Sequence, residues 1–360
     1  STSHRACHGR CIGEDARVTA VVIIGGGPGG YEAALVARQL GAEVTLVDRD
    51  GLGGSAVLTD CVPSKTLIAA AEILTRAVEG ARLGLQFDAE DTSYARVGVD
   101  VPKLNARIRD LAAKQSEDIA ERLRAEGISV IRGAGYFRSA HTVGVHGTDE
   151  VINADVVLIA TGARPRELPS AKPDGERILT WKQLYELDAL PTHLIVVGSG
   201  VTGAEFASAY HGIGAKVTLV SSREHVLPGQ DSDAAQVIED VFDRRGITVL
   251  GRSRADRVEN TGSGVRVTLA DGSVIDGSHC LMAVGSLPNV EFLAGNDIDI
   301  ESGVHVDDSL HARRVNGDAW SNVYAIGDVA RFPIPQFDPR TRRVEHWNIP
   351  TRSEEHTSEL

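Results

Sequence analysis

Apolar positions in this chain form short runs that alternate with charged or glycine-rich stretches. The run from Val18 to Ile24 has the length of a strand and is followed directly by glycines. Two longer stretches, Lys65–Leu83 and Val101–Glu126, predict helices. The second helix has one apolar face, which is formed by Leu104, Ile108, Leu111 and Ile119. Ordinary core packing explains such a face, so the pattern predicts an α/β protein without indicating its chemistry.

The strongest signal is an internal duplication of a strand, a glycine-rich loop, a helix and a second strand. The loop glycines are Gly25, Gly27 and Gly30 in the first copy and Gly198, Gly200 and Gly203 in the second. The second strands end at Asp48 and at Ser221. The two copies are offset by 173 residues, both from Gly25 to Gly198 and from Asp48 to Ser221, so they align without a gap.

Each glycine of this G-x-G-x-x-G pattern has a physical purpose in a dinucleotide site. The first makes a tight turn, the second lets the backbone approach a pyrophosphate, and the third allows the helix to pack on the strand. The N-terminus of the helix supplies N–H donors to the phosphates. One copy is weak evidence because such a loop is often only a turn. Two copies with identical spacing predict two dinucleotide sites.

The ends of the second strands distinguish the two ligands. Asp48 stands where an acidic side chain accepts a hydrogen bond from an adenosine ribose and repels a 2′-phosphate, so the first site suits FAD or NAD. The equivalent position of the second copy is Ser221, which is followed by Ser222 and Arg223. With no carboxylate and one cation nearby, this site tolerates NADPH as well as NADH. The alternative is that Arg223 is only a solvated loop residue.

Composition and charge narrow the class of protein. The 360 residues carry a net charge of −13, which argues against non-specific binding to nucleic acid or anionic lipid. No apolar run approaches the roughly 20 residues that span a bilayer, and the N-terminus shows no secretory signal. Four cysteines are too few for a disulfide scaffold in a chain of this length. We therefore expect a cytoplasmic protein whose partner is a small molecule.

Both ends of the chain lack the patterning of the rest. Residues 1–17 show no apolar periodicity, and we interpret them as a non-native leader translated from upstream sequence. An alternative is a metal site within this leader, although we predict none. Its ligands would be His4, Cys7, His8 and Cys11. Residues 352–360 resemble the translation of a sequencing adapter, so we expect neither end to belong to the fold.

Three further segments, together with the duplication, resemble the pyridine nucleotide-disulfide oxidoreductases, a superfamily of flavoproteins that bind two dinucleotides. These segments are Leu158–Ala163, Leu281–Asn289 and Val323–Asp328. In the family the first two segments carry the chain from the FAD domain into the NAD(P) domain and back. The resemblance implies an FAD-binding domain formed by residues 18–163 and 285–345, with an NAD(P)-binding domain of residues 164–284 inserted in it.

The resemblance also implies which residues line the cofactors. In the family, the aspartate that matches Asp328 hydrogen-bonds the ribitol chain of the flavin, and the turn that matches Gly135 approaches the adenine end of FAD. Lys65 matches a lysine near the flavin that pairs with the glutamate at the position of Glu205. Beyond the loop glycines and strand ends, the implied cofactor residues are Gly54, Lys65, Gly135, Thr161, Gly162, Gly285 and Asp328.

One departure from the family decides the expected chemistry. Disulfide reductases of this superfamily carry a C-x4-C pair beside the flavin, but here Ala56 occupies the first position and only Cys61 remains. A single thiol cannot cycle between dithiol and disulfide within one subunit, because exchange requires a resolving partner. The same substitution occurs in the lipoamide-dehydrogenase-like NAD(P)H quinone reductases, which this chain resembles most. The implied catalytic residues are Cys61, Lys65 and Glu205, and Cys61 either tunes the flavin as a thiolate or fills space beside it.

The chain departs from this group again after Asp328. The family continues with an interface domain that forms a homodimer, and we expect that domain to be absent here. Residues 329–349 resemble instead the ferredoxin reductases that serve oxygenases. Three functions therefore stay open: a reductase of a quinone or similar acceptor, a reductase with an iron–sulfur protein partner, and a flavin-holding redox sensor without turnover.

Overall fold

The computed structural model describes residues 17–84, 98–334 and 338–342, which form two main sheets with flanking helices, several smaller sheets and connecting turns. The helices are α1 (Pro28–Gln39), α2 (Gly54–Leu58), α3 (Cys61–Arg82), α4 (Val101–Ala125), α5 (Val201–Gly212) and α6 (Ser232–Arg245). The strands of the first half are β1 (Ala20–Ile24), β2 (Glu43–Asp48), β3 (Ser129–Arg132), β4 (Gly135–Ser139), β5 (Thr142–Val145), β6 (Val151–Asn153), β7 (Val156–Ile159), β8 (Ala163–Pro165), β9 (Ile178–Leu179), β10 (His193–Val197) and β11 (Lys216–Val220). Those of the second half are β12 (Thr248–Leu250), β13 (Ala255–Asn260), β14 (Val265–Leu269), β15 (Val274–Gly277), β16 (His279–Met282), β17 (Ser286–Pro288), β18 (Val304–His305), β19 (His311–Arg313), β20 (Ala319–Ala325), β21 (Ala330–Ile334) and β22 (Asp338–Arg342).

The first main sheet has the strand order β19-β20-β7-β1-β2-β3. β1 lies at its centre and pairs in parallel with β2 on one side and β7 on the other. Ile23 is fully buried because both faces of the strand are covered, which explains the continuous apolar run in the sequence. The strand begins at Ala20 rather than at the predicted Val18, whose surface is more than half exposed.

The second main sheet has the order β12-β11-β10-β16-β9, and all of its pairs are parallel. β10 repeats the central position of β1, since it lies between β11 and β16. Two three-stranded antiparallel sheets, β4-β5-β6 and β13-β14-β15, accompany the two main sheets. The two halves of the duplication therefore fold as two copies of one strand–loop–helix–strand unit.

A two-stranded antiparallel ribbon of β8 and β17 joins the two units. The chain leaves the first sheet after β7, enters the second unit through β8, and returns through β17 to finish the first sheet with β19 and β20. This is the predicted α/β architecture in which the second dinucleotide unit is inserted in the first. The residue boundaries that we assigned to the two domains stay a prediction.

Two long helices lie close to their predicted positions, with one correction to their packing. α3 begins at Cys61, four residues before the predicted start, and the Ser64 N–H donates to the Asp60 carbonyl at 2.7 Å. In α4 the predicted apolar face is wrong at Leu111, which is 43% exposed. The buried face instead passes through Ile108 and Ala112, because residues four apart lie on the same side of a helix.

Among the described residues, no helix combines the length and the apolar character needed to cross a membrane.

Candidate dinucleotide and electron-transfer site

The first glycine-rich loop connects β1 to α1 at the carboxyl edge of the first sheet. Gly25 has a φ of +110°, and a Cβ atom there would overlap the Ala160 carbonyl oxygen. A Cβ at Gly30 would overlap the Gly25 carbonyl oxygen, so both positions require glycine. At Gly27 a Cβ would meet no atom within 4 Å, which leaves the backbone open to an approaching group. This is the cradle that a pyrophosphate needs, and FAD fits it.

The second loop reproduces these features between β10 and α5. Gly198 also has a φ of +110°, and a Cβ there would overlap the Ala283 carbonyl oxygen. A Cβ at Gly203 would overlap the Gly198 carbonyl oxygen, while Gly200 is open within 4 Å. Gly27 and Gly200 precede their helices with nearly identical backbone angles, φ −66° and ψ −178° against φ −67° and ψ −176°. The second cradle therefore fits the pyrophosphate of a nicotinamide dinucleotide.

The two strand ends behave differently. The Asp48 carboxylate accepts hydrogen bonds from the backbone N–H groups of Gly26 at 2.7 Å and of Gly51 at 2.6 Å. Ser221 is fully buried, and its hydroxyl bonds the Ser199 hydroxyl at 2.7 Å. Arg223 follows with an exposed side chain. Both predicted strand ends thus lie beside their loops, although the Ser221 hydroxyl points into the protein.

Further predicted residues lie around the first loop. A Cβ at Gly54, at the start of α2, would lie 2.7 Å from the Gly27 Cα atom. Glycine at position 54 therefore keeps side-chain atoms away from Gly27, the open position of the loop. Gly135 lies against the ends of β1 and β2, where a Cβ would meet Ile24 and Val47 at 3.1 Å and 3.2 Å. Asp328 lies in a 3₁₀ turn directly after β20, a neighbour of β7.

The two chain crossings are joined by side chains as well as by the ribbon. The Asn289 side-chain amide donates to the Thr161 carbonyl at 2.8 Å, and the Thr161 hydroxyl donates to the Asn289 carbonyl at 2.9 Å. Gly162 and Gly285 adopt positive φ values of +64° and +97°, and a Cβ at either would meet no atom within 4 Å. Both predicted glycines therefore sit in open turns at the junction of the two units.

An ion pair links the two dinucleotide units at the start of α3. The Lys65 ammonium contacts both carboxylate oxygens of Glu205 on α5, at 2.7 Å and 2.9 Å. Glu205 lies within the first helical turns after the second glycine-rich loop. The predicted pair between residues 140 positions apart is therefore present.

Cys61 lies one helical turn before Lys65, at the N-terminus of α3. Burial raises the pKa of this thiol, and the charge of Asp60 raises it further, whereas the charge of Lys65 lowers it. The charges of Glu205 and Asp328 also act on the thiol and raise its pKa. The predicted residues Cys61, Lys65, Glu205 and Asp328 thus come together at one place, and the sulfur there favours the neutral thiol over the thiolate.

The sequence analysis did not identify Ser199 and Asn289 as individual residues of the site. Ser199 occupies the loop position that Gly26 holds in the first copy, and this difference was visible in the alignment of the copies. The bridging role of Asn289 had no comparable signal, because its partner Thr161 is 128 residues away.

Several predictions fall outside the described residues. These are the alternative metal ligands His4, Cys7, His8 and Cys11, residues 335–337 and 343–349 of the segment that resembles ferredoxin reductases, and the tail 352–360. Among the residues that the structure does describe, no group of three or more histidine, cysteine, aspartate or glutamate side chains is arranged to hold a metal ion.

Comparison with known proteins identifies the family and the fold. The sequence profile of the family described as pyridine nucleotide-disulphide oxidoreductase matches residues 19–352. An NAD(P)H dehydrogenase (quinone) of Mycobacterium tuberculosis is 48% identical over 323 residues, and the match covers 86% of this chain but only 64% of that protein. The dihydrolipoyl dehydrogenase 2 of Haloarcula marismortui is 33% identical, with 90% of this chain and 68% of that protein covered.

Solved structures agree with the sequence comparison. The crystal structure of LpdA from Mycobacterium tuberculosis superposes with a TM-score of 0.82 at 43% identity, and covers 94% of this chain and 72% of that one. The flavoprotein disulfide reductase RclA of Escherichia coli superposes with a TM-score of 0.76 at 24% identity, covering 93% of this chain and 69% of that one, a likeness that supports the fold alone.

Proposed function

We propose that this chain, which belongs to the pyridine nucleotide-disulphide oxidoreductase family, carries out NAD(P)H oxidation through FAD and passes the electrons to a quinone. The net reaction converts NAD(P)H, one proton and the quinone into NAD(P)⁺ and the quinol. Bound FAD supplies the two-electron chemistry, because it takes a hydride from nicotinamide and gives the reducing equivalents to an acceptor. The protein's own residues bind the two dinucleotides, orient them and set the charge around them.

The isolation of Cys61 carries the proposal that the acceptor is reduced without a redox disulfide. Position 56, where a dithiol enzyme of this family has the first cysteine of its pair, is alanine. Cys61 and Cys280 are both free, and Cys280 is fully buried on β16 in the core of the second sheet. Exchange between a dithiol and a disulfide therefore has no resolving partner among the described cysteines.

Lys65 and Glu205 have a defined task in this proposal. Their ion pair joins the N-terminal part of α3 to the N-terminal part of α5. It thereby holds the proposed flavin site and the proposed nicotinamide site in a fixed relation to each other. Glu205 holds the ammonium group in one place. A fixed cation stabilises the negative charge that develops on a reduced ring more effectively than a mobile one, because no reorganisation is needed during the reaction.

The quinone as acceptor is supported by the name of the mycobacterial relative, an NAD(P)H dehydrogenase (quinone). This chain spans 64% of the length of that protein. Quinone reduction by this chain is therefore a proposal that requires a direct test. The dihydrolipoyl dehydrogenases match at lower identity, between 31% and 34%. Their disulfide chemistry does not suit a chain with alanine at position 56.

The decisive experiment is an anaerobic titration of the flavin-loaded chain with NADPH or NADH, followed by addition of an acceptor. We expect the flavin absorbance to bleach and a naphthoquinone to restore it rapidly, whereas lipoamide leaves it bleached. Restoration by ferredoxin and not by quinone would replace the proposal with the ferredoxin reductase function. Absence of bleaching with bound flavin would favour the redox sensor.

Variants of the ion pair test its role separately. We expect Lys65→Met and Glu205→Gln to slow flavin reduction by about tenfold or more, as is typical when one preorganised charge is removed from such a site. Lys114→Met is the matched control, because Lys114 is an exposed lysine on α4. Equal rates in the Lys65 variant and this control would show that the pair has no part in electron transfer.

A further inference from the structure

A short 3₁₀ helix, Gln183–Glu186, lies between β9 and β10 in the chain and is held by side chains from two longer helices. The Tyr210 hydroxyl on α5 donates to the Leu184 carbonyl at 3.2 Å. The Arg109 guanidinium on α4 donates to the Tyr185 carbonyl. Donors from α4 and α5 therefore fix the backbone around Tyr185.

The Tyr185 hydroxyl is buried without a hydrogen-bond partner among the residues that the structure describes. The residue is 3% exposed, and the centroid of its ring lies 6.1 Å from that of Phe206, the residue after Glu205. An unpaired buried hydroxyl destabilises a folded chain, whereas phenylalanine would fill almost the same space without this penalty. The bonds that fix the backbone here maintain the unpaired hydroxyl, which indicates a purpose other than packing.

The charges that act on this hydroxyl belong to the electron-transfer site. Burial raises the pKa of the Tyr185 phenol, and the charge of Asp60 raises it further. Smaller effects in the same direction come from Tyr210, Glu205 and Cys61. The phenol therefore stays protonated and available as a donor. Apart from burial, Asp60 also raises the pKa of Cys61 most, so the same acid acts on the phenol and on the thiol.

Charge around Cys61 is predominantly negative. The carboxylates of Asp60, Glu205 and Asp328 act on this thiol, and the ammonium of Lys65 acts in the opposite direction. A ring that gains negative charge on reduction is destabilised by carboxylates whose charge is not offset. A hydrogen-bond donor to one of these carboxylates therefore favours reduction.

Asp60 has a fixed backbone at the start of α3. Its N–H donates to the Ser55 carbonyl at 2.7 Å, and its carbonyl accepts from the Ser64 N–H at 2.7 Å. Since the backbone of Tyr185 is fixed as well, rotation of side chains is the movement that brings the hydroxyl and the carboxylate together. Hydrogen bonds in active sites are often completed only in the working state.

We infer that Tyr185 is a positioning residue of the electron-transfer site, whose hydroxyl donates a hydrogen bond to the Asp60 carboxylate when negative charge enters the flavin site. The bond holds this carboxylate in place beside Cys61 and offsets part of its charge when repulsion is greatest. A bond that is stronger in the reduced state than in the oxidised state favours reduction, because only a difference between two states shifts their equilibrium. This inference rests on the proposed function, because it concerns the flavin of the same reaction.

The main test measures the midpoint potential of the flavin-loaded chain against reference dyes, with dithionite as the reductant. We expect Tyr185→Phe to shift the equilibrium toward oxidised flavin by at least about threefold, which is about 14 mV for a two-electron couple. The shift should disappear when Tyr185→Phe is combined with Asp60→Ala, because the acceptor of the bond is then absent. It should persist when Tyr185→Phe is combined with Glu205→Gln.

Thermal unfolding of the oxidised, flavin-loaded chain provides the second measurement. Tyr185→Phe removes a hydroxyl that has no partner in this state, so its unfolding temperature should equal or exceed that of the parent chain. Tyr210→Phe is the matched control, because Tyr210 lies in the same apolar cluster and donates to the Leu184 carbonyl. This control should lower the unfolding temperature by about 1–2 °C and leave the potential unchanged.

The inference is overturned if Tyr185→Phe leaves the midpoint potential unchanged, or if its effect persists with Asp60→Ala or disappears with Glu205→Gln. It is also overturned if Tyr185→Phe lowers the unfolding temperature as much as Tyr210→Phe does, because the hydroxyl then has a structural partner. The potential measurement uses neither NAD(P)H nor quinone. A chain that shows the expected potentials but reduces no quinone therefore supports the inference and refutes the proposed function instead.

Discussion

At the scale of single residues, the protonation state of Cys61 limits what its sulfur can do. The thiolate is the nucleophilic form of cysteine, and a raised pKa means that less of it exists at a given pH. Burial and the charge of Asp60 both raise the pKa of Cys61, and Lys65 offsets only part of this. Of the two roles that the sequence left open, the neutral space-filling thiol is favoured.

The alkylation rate of Cys61 follows from its raised pKa. At about pH 7.5 we expect iodoacetamide to modify Cys61 in the folded chain at least about tenfold more slowly than in the chain unfolded by urea. Mass spectrometry of the Cys61 peptide measures both rates without interference from other cysteines. A folded-state rate that already reaches its plateau below neutral pH would show that the sulfur is a thiolate.

Gly30 is the residue whose replacement should remove the flavin most completely. A valine at this position would drive its Cβ into the Gly25 carbonyl oxygen and push α1 away from β1. We expect Gly30→Val protein to purify without FAD, as judged by its absorbance spectrum. Gly98→Val is the control, because a Cβ at the exposed Gly98 meets no atom within 4 Å. Full flavin content in the Gly30 variant would contradict the first dinucleotide site.

At the scale of elements, the ribbon of β8 and β17 sets how the two dinucleotide units meet. Its strands are short, and the side chains around it add further connections. Arg164 on β8 donates to the Asn289 side-chain oxygen at 3.2 Å and pairs with Glu291. The Asn289 amide in turn reaches Thr161 on the outward crossing. One asparagine therefore connects the outward and return crossings.

Removing this asparagine should loosen the crossing. Asn289→Ala leaves the half-buried Thr161 carbonyl without its side-chain donor, a loss that costs about 1–3 kcal/mol of unfolding free energy. Denaturant unfolding of the flavin-loaded chain measures the loss. Asn316→Ala, in an exposed turn, serves as the control and should stay within about 0.5 kcal/mol of the parent. An equal effect of both changes would mean that Asn289 is only a surface residue.

At the scale of the whole molecule, the proposed function predicts that this chain stores electrons differently from the dithiol enzymes of its family. A dithiol enzyme holds one pair of electrons on sulfur and another on flavin. Here the two described cysteines lie on different elements, Cys61 on α3 and Cys280 on β16, and both are free thiols. If the described residues hold the whole redox site, we expect the flavin alone to store an electron pair.

Electron counting provides the corresponding test. We expect complete bleaching of the flavin at about one NAD(P)H per FAD, and no effect on quinone reduction from arsenite, which locks neighbouring thiols. Cys61→Ser should keep its quinone activity, since the hydride does not pass through sulfur. Two results would refute the proposal that the flavin reduces the acceptor without a redox disulfide. One is consumption of about two NAD(P)H per FAD, and the other is loss of turnover in Cys61→Ser while reducible flavin stays bound.

The sequence predicted most of the architecture because its signals are local. The G-x-G-x-x-G spacing requires no knowledge of distant residues: Gly25 and Gly198 need positive φ, and Gly30 and Gly203 must admit the carbonyl of the first glycine in the same loop. The repeat of this pattern at a constant offset was sufficient for two parallel units. The prediction that no redox disulfide is present is equally local, because it depends on one residue, the alanine at position 56, and its spacing to Cys61.

Only the tertiary structure decided how the units share a site. The exposure of Leu111 depends on how α4 is rotated against its neighbours. The inward direction of the Ser221 hydroxyl and the contact of Asn289 with Thr161 depend on residues that are far away in the chain. The pKa of Cys61 likewise depends on burial and on charges from three separate elements. A sequence specifies the conformation of a loop through steric limits on a few adjacent residues, whereas packing and electrostatics act between whichever groups the fold brings within a few ångströms.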